Sequence, residues 1–279
     1  MSALLVKPDA TRQSGELLSV TPQSAGWETI SLAFVRLGAG EKYSFALPGE
    51  EAVVVVLGGK ITVTSGDITW RGMGGRKDVF SGMPYALYLP LDARGEVTAE
   101  FGVAEFALCR CRASRSFPPR LIFPEEVEVE VRGAENATRQ INHIVKPDFP
   151  ADRILVVEVY TPSGNWSSYP PHKHDVHDPP REVDLDEIYF YKVDKPEGYA
   201  IQRLYTYDGR RDETLTVRDN QAVLVPDGYH PVVAAHGYHV YYLNVLGGSA
   251  RSMAASDDPH YAWVRGAWRI PDPRVPLVK

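Results

Sequence analysis

Short apolar runs, separated by turns that contain glycine or proline, recur along almost the whole chain. Residues 154–160 form a nearly unbroken apolar run typical of a buried strand, whereas residues 127–131 alternate as a half-buried strand does. Residues 52–57 and 60–64 flank the pair Gly58-Gly59, which predicts a β-hairpin with a glycine turn. No segment keeps a helical period for more than two turns. The pattern therefore predicts an all-β chain built as a sandwich or a barrel.

The two halves of the chain show a similar order of features. The order around residues 40–58, a polar strand followed by a turn and a valine-rich strand, resembles the order around residues 164–198. Such an internal echo favours two similar β domains over one large domain. Residues 113–124 contain prolines and little periodicity, so they are the candidate linker. We predict an N-terminal domain at residues 1–118 and a C-terminal domain at residues 119–279.

Composition narrows the classes of function. The 279 residues carry 30 basic and 36 acidic side chains, for a net charge of −6, which argues against a nucleic-acid-binding protein. No apolar run reaches the roughly 18 residues that a membrane-spanning helix needs, and the first residues lack the pattern of a signal peptide. We therefore expect a cytoplasmic protein without a membrane partner. Its two cysteines, Cys109 and Cys111, are expected to be buried free thiols.

Histidines point to the second half of the chain as the place of any metal site. All eight lie after residue 142. On a strand, His172 and His174 share one face while Lys173 points the opposite way. Imidazole suits divalent transition metals such as Zn, Mn, Fe, Co or Ni. A bare His-x-His pair is also common on protein surfaces, so the pair alone does not decide between the two interpretations.

Two further elements favour a metal site. Glu187 begins an aromatic strand and could place a carboxylate beside the imidazoles, and a Pro-x-Gly turn at residues 226–228 delivers His230. Three imidazoles and one carboxylate would leave coordination positions open for water or substrate, as a catalytic metal requires.

These same residues resemble known sequence motifs. His172, His174, Glu187 and Gly198 resemble the first motif of the cupin superfamily, and residues 226–230 resemble the second. Four longer runs are more specific, and together they resemble the family of 5-deoxy-glucuronate isomerases, bicupin enzymes of myo-inositol breakdown: residues 161–175, 198–206, 225–232 and 241–245. The similarity extends from about residue 5 to residue 270.

The resemblance implies a bicupin fold of two β-sandwich (jelly-roll) cupin domains, with the metal in the second. It also implies that the metal ligands are His172, His174, Glu187 and His230. Residues 175–186 form an insertion longer than the usual cupin spacing, so Asp186 and Glu182 stay open as alternatives to Glu187. The first domain has no histidine and is expected to be a structural or dimer-forming domain without metal.

The resemblance also implies a reaction, the conversion of the aldose acid 5-deoxy-glucuronate into the ketose acid 5-dehydro-2-deoxy-gluconate. Such an isomerisation passes through an enediol, which a divalent metal can chelate, and needs a base to move a carbon-bound proton. Asp175 is a candidate base or positioning residue, and Tyr229 and Tyr242 are candidate proton donors. Gln202 and Arg203 face opposite ways on one strand, so only one of them can point at the metal.

The carboxylate of the substrate calls for a cation. Arg181 on the insertion, Arg203 on its strand and Lys173 are the candidates, and the insertion itself is expected to be a loop near the metal that orders with substrate. A small sugar acid is thus the expected partner, within a homo-oligomer. Two alternatives stay open: a cupin Fe(II) dioxygenase with the same ligands, and a sugar-acid-binding bicupin without catalysis.

Overall fold

A computed structural model describes residues 2–279, and almost all of its regular structure is β strand. The first eleven strands are β1 Leu5–Val6, β2 Gly15–Val20, β3 Ile30–Leu37, β4 Lys42–Ala46, β5 Glu50–Gly58, β6 Lys60–Ser65, β7 Ile68–Gly74, β8 Ala86–Leu89, β9 Arg94–Ala99, β10 Ala104–Arg112 and β11 Arg120–Ile122. The remaining strands are β12 Glu128–Arg132, β13 Arg139–Val145, β14 Leu155–Thr161, β15 Trp166–Ser167, β16 His172–Lys173, β17 Leu185–Val193, β18 Ala200–Tyr205, β19 Asp212–Val217, β20 Ala222–Val225, β21 Val232–Ala234, β22 Val240–Gly248 and β23 Ser256–Asp257.

Helices are short and few. Within residues 2–279 there are two four-residue α-helices, α1 Pro22–Ala25 and α2 Val264–Ala267, and one 3-10 turn, Pro124–Glu126. Neither α-helix is long or apolar enough to cross a membrane. The all-β prediction is confirmed. The turn residues between the apolar runs interrupt any helical period, which is why long helices do not form.

The chain divides into two compact units that are not contiguous in sequence. The N-terminal unit comprises Lys7–Glu128, Ile144–Val156 and the last two residues, and the C-terminal unit comprises the residues up to Val6, Val129–His143 and Val157–Leu277. The first strand, β1, belongs to the C-terminal unit because Leu5 pairs with Val223 of β20. The boundary predicted between residues 118 and 119 falls just before β11 and stays a prediction.

Two facing sheets form the N-terminal unit. One has the strand order β11-β8-β5-β10-β3-β2 and the other β4-β9-β6-β7. Apolar residues of both sheets share one core, in which Val54, Ile61 and Phe106 are fully buried. Cys109 and Cys111 on β10 are buried and free, as predicted, and burial raises the pKa of both thiols.

The hairpin predicted around Gly58-Gly59 is wrong. Strand β5 pairs with β8 and β10, whereas β6 pairs with β7 and β9 in the other sheet. Gly59 has φ 78°, and a Cβ there would lie 2.5 Å from the carbonyl oxygen of Val103. The two glycines therefore carry the chain between facing sheets, at a point where only glycine fits.

The C-terminal unit contains the larger sheet, with the strand order β1-β20-β17-β22-β14-β13-β12, and a four-stranded sheet, β15-β21-β18-β19. A short pair, β16-β23, joins His172 to Asp257 in register. The apolar core includes Val159, Tyr191, Leu204 and Val225. Strands β16 and β17, the residue after β16 and the turn after β20 carry the four predicted metal ligands.

A buried carboxylate stabilises the segment that leads into β14. Glu51 is 0% exposed and accepts hydrogen bonds from the backbone N–H groups of Asp152, Arg153 and Ile154 at 2.8, 2.6 and 2.8 Å. The hydroxyl of Tyr88 donates a fourth hydrogen bond at 2.7 Å. This one side chain therefore satisfies three consecutive backbone donors that have to be paired when buried.

Replacing Glu51 with alanine is expected to lower the free energy of unfolding by about 3 kcal/mol, because several buried donors lose their acceptor. Urea denaturation of the purified protein measures the loss. Glu28→Ala, which removes an exposed glutamate of the same unit, is the control and should change stability by less than about 0.5 kcal/mol. Equal effects of the two substitutions would contradict this account of Glu51.

Candidate metal centre and its cavity

Three of the predicted ligands meet in the C-terminal unit. The Nε2 atom of His174 lies 2.9 Å from Oε2 of Glu187, and Nε2 of His230 lies 3.4 Å from the same oxygen. All three side chains are buried, and their ligand atoms lie within 4.8 Å of one another. Strand β17 supplies Glu187, the residue after β16 supplies His174, and the turn between β20 and β21 supplies His230.

His172 completes the cluster from its edge. Its ring centre lies 4.9 Å from that of His230 and 6.4 Å from that of His174. Its ligand atoms fall outside the group of three that lie within 4.8 Å of one another. The structure thus brings the three other predicted ligands together and places the ring of His172 next to that of His230.

The hydrogen bonds of the imidazoles determine which ring nitrogen carries the proton and which one faces Glu187 with a lone pair. Nδ1 of His174 lies 3.0 Å from the carbonyl oxygen of Leu185, and Nδ1 of His230 lies 2.9 Å from that of Gly228. A carbonyl oxygen only accepts, so both Nδ1 atoms carry the proton and donate. In the neutral rings, both Nε2 lone pairs therefore point towards Glu187.

This arrangement fits a cation. Nε2 of His230 is buried and has no hydrogen-bond partner within residues 2–279. The Nε2 lone pair of His230 faces the carboxylate of Glu187 with no proton between them, which is unfavourable unless a positive ion lies there. A carbonyl oxygen that accepts from Nδ1 is also the usual support of a metal-bound imidazole. The donor set of imidazole and carboxylate suits a divalent transition metal.

Burial sets the protonation of the three imidazoles. It lowers the pKa of His230 to about 4 and, together with the neighbouring rings of His230 and His174, lowers the pKa of His172 well below its ordinary value. Burial also opposes the charge of His174, but the hydrogen bond and charge of Glu187 outweigh it and raise the pKa of that ring. Two of the three rings are thus held neutral, the form that binds metals.

The alternatives to Glu187 lie elsewhere. Asp186 is its neighbour on β17 and faces the other side of the sheet. Glu182 accepts hydrogen bonds from the backbone N–H groups of Asp175 and Val176, both at 3.0 Å, and from Lys173 at 2.7 Å. It therefore ties the insertion together instead of facing the imidazoles.

The insertion is a loop from residue 174 to residue 184, as predicted, although strand β17 begins at Leu185, two residues earlier than expected. Because the buried Glu182 holds its two ends together, the loop has a fixed base. Its ordering on substrate binding stays a prediction.

Two cavities open beside the candidate metal ligands, of about 170 Å³ and about 60 Å³. Both are lined by His172, Glu187, Arg132 and Arg139. Arg265 also lines the larger cavity. The smaller cavity is lined in addition by the side chains of Ser167, Ser168, Tyr189, Tyr242 and Asn244. A small polar molecule could therefore reach the metal ligands between guanidinium groups and hydroxyls.

Tyr242 is the predicted proton donor that the structure brings to this cavity. Its hydroxyl hydrogen-bonds to Ser167, and burial raises its pKa. Tyr189, which the sequence analysis did not single out, lies beside it with a ring separation of 4.8 Å. Its hydroxyl is 3.1 Å from that of Ser168, and burial raises its pKa well above the ordinary value. Both phenols are therefore protonated and able to donate.

Three predicted residues do not reach the cavity. Arg181 is exposed and pairs with Asp178 at 2.5 Å. Arg203 pairs with Asp212 at 2.7 and 2.8 Å and covers the ring of Tyr205 at 4.2 Å, because it faces outwards on β18. Tyr229 packs against Tyr205, with ring centres 5.1 Å apart. None of the three lines either cavity.

Gln202 and Asp175 act on the turn that carries His230. Gln202 is fully buried, accepts a hydrogen bond from Tyr191 at 2.9 Å and donates to the carbonyl of His230 at 3.4 Å. Asp175 accepts from the N–H of Gly228 at 2.8 Å and from Lys173. Burial would raise the pKa of Asp175, but the ammonium group and the N–H lower it overall. An ionised carboxylate whose oxygens already accept these hydrogen bonds is a poor base, but it can hold the turn of His230 in position.

The sequence analysis missed the arginines of the cavity. Arg132, Arg139 and Arg265 come from β12, β13 and α2, far from the histidine motifs along the chain. A signal existed for Arg139, since it alternates with Ile141 and His143 on the strand face that lines the smaller cavity.

Comparisons with known proteins find relatives along nearly the whole chain. The model of the KduI/IolB family matches residues 4–264. A curated 5-deoxy-glucuronate isomerase of Geobacillus thermodenitrificans is 42% identical over 265 residues, which is 95% of this chain and 96% of the relative. A solved IolB-like protein from Salmonella typhimurium LT2 superposes with a TM-score of 0.90 and 37% identity, covering 94% of this chain and 98% of that one.

A more distant likeness bears on the fold alone. A solved Bacillus subtilis oxalate decarboxylase, described as having Mn(II) centres, superposes with a TM-score of 0.62 and 14% identity, covering 92% of this chain and 80% of that one. The predicted all-β cupin fold is confirmed.

Proposed function

We propose that this chain, which belongs to the KduI/IolB family, converts 5-deoxy-glucuronate into 5-dehydro-2-deoxy-gluconate. The sequence motifs predicted a resemblance to isomerases of this substrate. It is an isomerase, as its curated relatives are. One observation carries the proposal for the site: Nε2 of His174 and of His230 converge on Oε2 of Glu187, at 2.9 and 3.4 Å, beside a polar cavity.

The metal would be held by His172, His174, Glu187 and His230. When bound there, a divalent metal supplies Lewis-acid stabilisation of the charge that develops on neighbouring oxygens of a sugar. Zn, Mn, Fe, Co and Ni all suit this donor set. The homo-oligomer and the cytoplasmic location predicted from the sequence stay predictions.

The chain's own residues then move protons. An aldose becomes a ketose when a base takes the proton from C2 and returns it to C1, while O1 gains a proton and O2 loses one. Tyr242 is protonated and lines the cavity, so we assign it the proton that goes to a substrate oxygen. Arg181, Arg203 and Tyr229 have no part in this proposal because they lie outside the cavity.

Asp175 is assigned a positioning role. Its carboxylate holds the N–H of Gly228, and the carbonyl of Gly228 in turn accepts the Nδ1 proton of His230. The chain of contacts ends at the metal-facing Nε2, so loss of Asp175 should loosen the metal and leave the proton transfer intact.

Asp175→Ala is expected to weaken metal affinity about 10- to 100-fold, the usual cost of losing a supporting contact behind a ligand. Asp175→Asn retains an oxygen for Gly228 and should retain most of the metal affinity and activity. Metal titration and steady-state kinetics measure both. If Asp175 were the base, the asparagine variant would lose activity at full metal occupancy.

The reaction is tested by incubating the purified protein with 5-deoxy-glucuronate in D2O and following the ¹H NMR spectrum. We expect the aldehyde-derived signals to be replaced by those of a hydroxymethyl ketone carrying deuterium at the carbon that receives the proton. Equal rates with and without oxygen distinguish isomerisation from the dioxygenase alternative. No conversion in the presence of added divalent metals would overturn the proposed substrate.

A further inference from the structure

Three guanidinium groups line the larger cavity beside the candidate metal ligands, and two of them already have carboxylate partners. Arg132 forms a two-point pair with Glu130 at 2.6 and 2.8 Å, and Arg265 forms one with Asp257. Both pairs lie partly in solvent.

Arg139 is different. It is 3% exposed, and its only hydrogen bonds within residues 2–279 run from Nη1 to the carbonyl oxygens of Ala137 and Tyr169, both at 3.3 Å. It forms no ion pair within the part of the chain that the structure describes. Burial and the neighbouring Arg132 lower its pKa to about 10, so it stays charged at neutral pH.

A buried guanidinium without a counter-ion is costly, and such groups persist where a ligand completes them. Nε and Nη2 of Arg139 still lack acceptors, which leaves one edge of its planar fork available. That edge matches the geometry of a carboxylate, which accepts two parallel hydrogen bonds.

A second unsatisfied donor lies in the smaller cavity, which Arg139 also lines. Nδ2 of Asn244 is buried without a hydrogen-bond partner within residues 2–279, and its residue is 3% exposed. On β22 it lies two residues after Tyr242, on the same face. The cavity therefore presents a cation and an amide donor that both await acceptor oxygens, together with hydroxyls and metal ligands.

We propose that Arg139 binds the carboxylate of the substrate and selects acids over neutral sugars. This inference rests on the proposed function for the identity of the substrate, a sugar acid isomerised at the adjacent metal ligands. Its placement on β13, with Ile141 and His143 on the same face, makes the position rigid, unlike the exposed loop position of Arg181.

Kinetics with an acid and its neutral counterpart test the inference. Arg139→Gln should lower kcat/KM for 5-deoxy-glucuronate about 10- to 100-fold, mainly through KM. It should change turnover of 5-deoxy-glucose, which has a hydroxymethyl group in place of the carboxylate, by much less. Arg139→Lys should recover part of the loss. The control is Arg12→Gln, an exposed arginine paired with Asp9 at 3.2 Å, which should behave as wild type.

Equal losses for the acid and the neutral sugar in Arg139→Gln would show a structural role and overturn the inference, as would wild-type kinetics with the acid. Should that variant not fold, calorimetry on the wild type and on Arg139→Lys replaces it. The wild type should bind 2-deoxy-gluconate at least about tenfold more tightly than 2-deoxy-glucitol. In the Arg139→Lys variant, the ratio of the two affinities should be smaller. Equal affinities in the wild type would overturn the inference.

The two proposals fail in different ways. A wild-type protein that does not convert 5-deoxy-glucuronate contradicts the proposed function, while calorimetry still decides whether Arg139 distinguishes acids from neutral polyols.

Discussion

Replacing Glu187 with alanine is expected to lower kcat/KM for 5-deoxy-glucuronate by about three orders of magnitude and to release most of the bound metal. Its Oε2 is the atom on which the imidazoles of His174 and His230 converge. A metal at such a position stabilises developing charge by several kcal/mol, and each 1.36 kcal/mol is about a factor of ten in rate. The fold should survive, because the change removes a buried charge. Elemental analysis and steady-state kinetics on the same preparation measure both losses.

Asp186→Ala is the matched control. Asp186 is the adjacent carboxylate on β17, on the other face of the strand, so its loss should leave metal content intact. Full metal occupancy in the Glu187 variant, or metal loss in the Asp186 variant, would show that the ligand has been assigned to the wrong carboxylate.

Tyr242→Phe is expected to lower kcat about 100-fold, the contribution typical of a positioned proton donor. KM and metal content should change little, because the ring keeps its packing against Tyr189 and Tyr191 at 4.8 and 5.4 Å. Stopped assays by NMR give kcat, and the solvent isotope effect should change with it, since a phenolic proton no longer takes part.

Tyr241→Phe provides the comparison for this hydroxyl. Tyr241 is also buried, but its hydroxyl donates to Glu158 at 2.9 Å on the opposite face of β22. Its loss should affect stability and leave kcat unchanged. If both phenylalanine variants lowered kcat equally, the effect of Tyr242 would be one of packing and not of proton donation.

The convergence of the candidate ligands could be predicted from the sequence because strand periodicity and turn chemistry act locally. His172 and His174 alternate with Lys173, and the Pro-x-Gly turn places His230, so short segments determine each orientation. Glu187 is the more demanding prediction, since the insertion before it is longer than the usual cupin spacing. The structure shows that Glu182 is used inside that insertion, which leaves Glu187 for the imidazoles.

Other features depend on long-range partners and could not be read from local patterns. Arg181 lies close to the ligands along the chain but points into solvent, where Asp178 holds it. Arg139 lies on another strand, β13. It stands out because no carboxylate pairs with it within residues 2–279, and no local sequence pattern could have shown this. The glycine pair at the end of β5 likewise has the pattern of a hairpin turn, although β5 and β6 belong to different sheets.

The most direct test of the metal-dependent isomerase account is the conversion of 5-deoxy-glucuronate by wild-type protein before and after chelation. We predict that the metal-free protein stays folded and retains less than about 1% of the activity, since the metal contributes several kcal/mol. One equivalent of a divalent transition metal should restore the rate, and the same addition to the Glu187→Ala variant should not. Undiminished conversion by protein shown by elemental analysis to be free of metal would contradict the account.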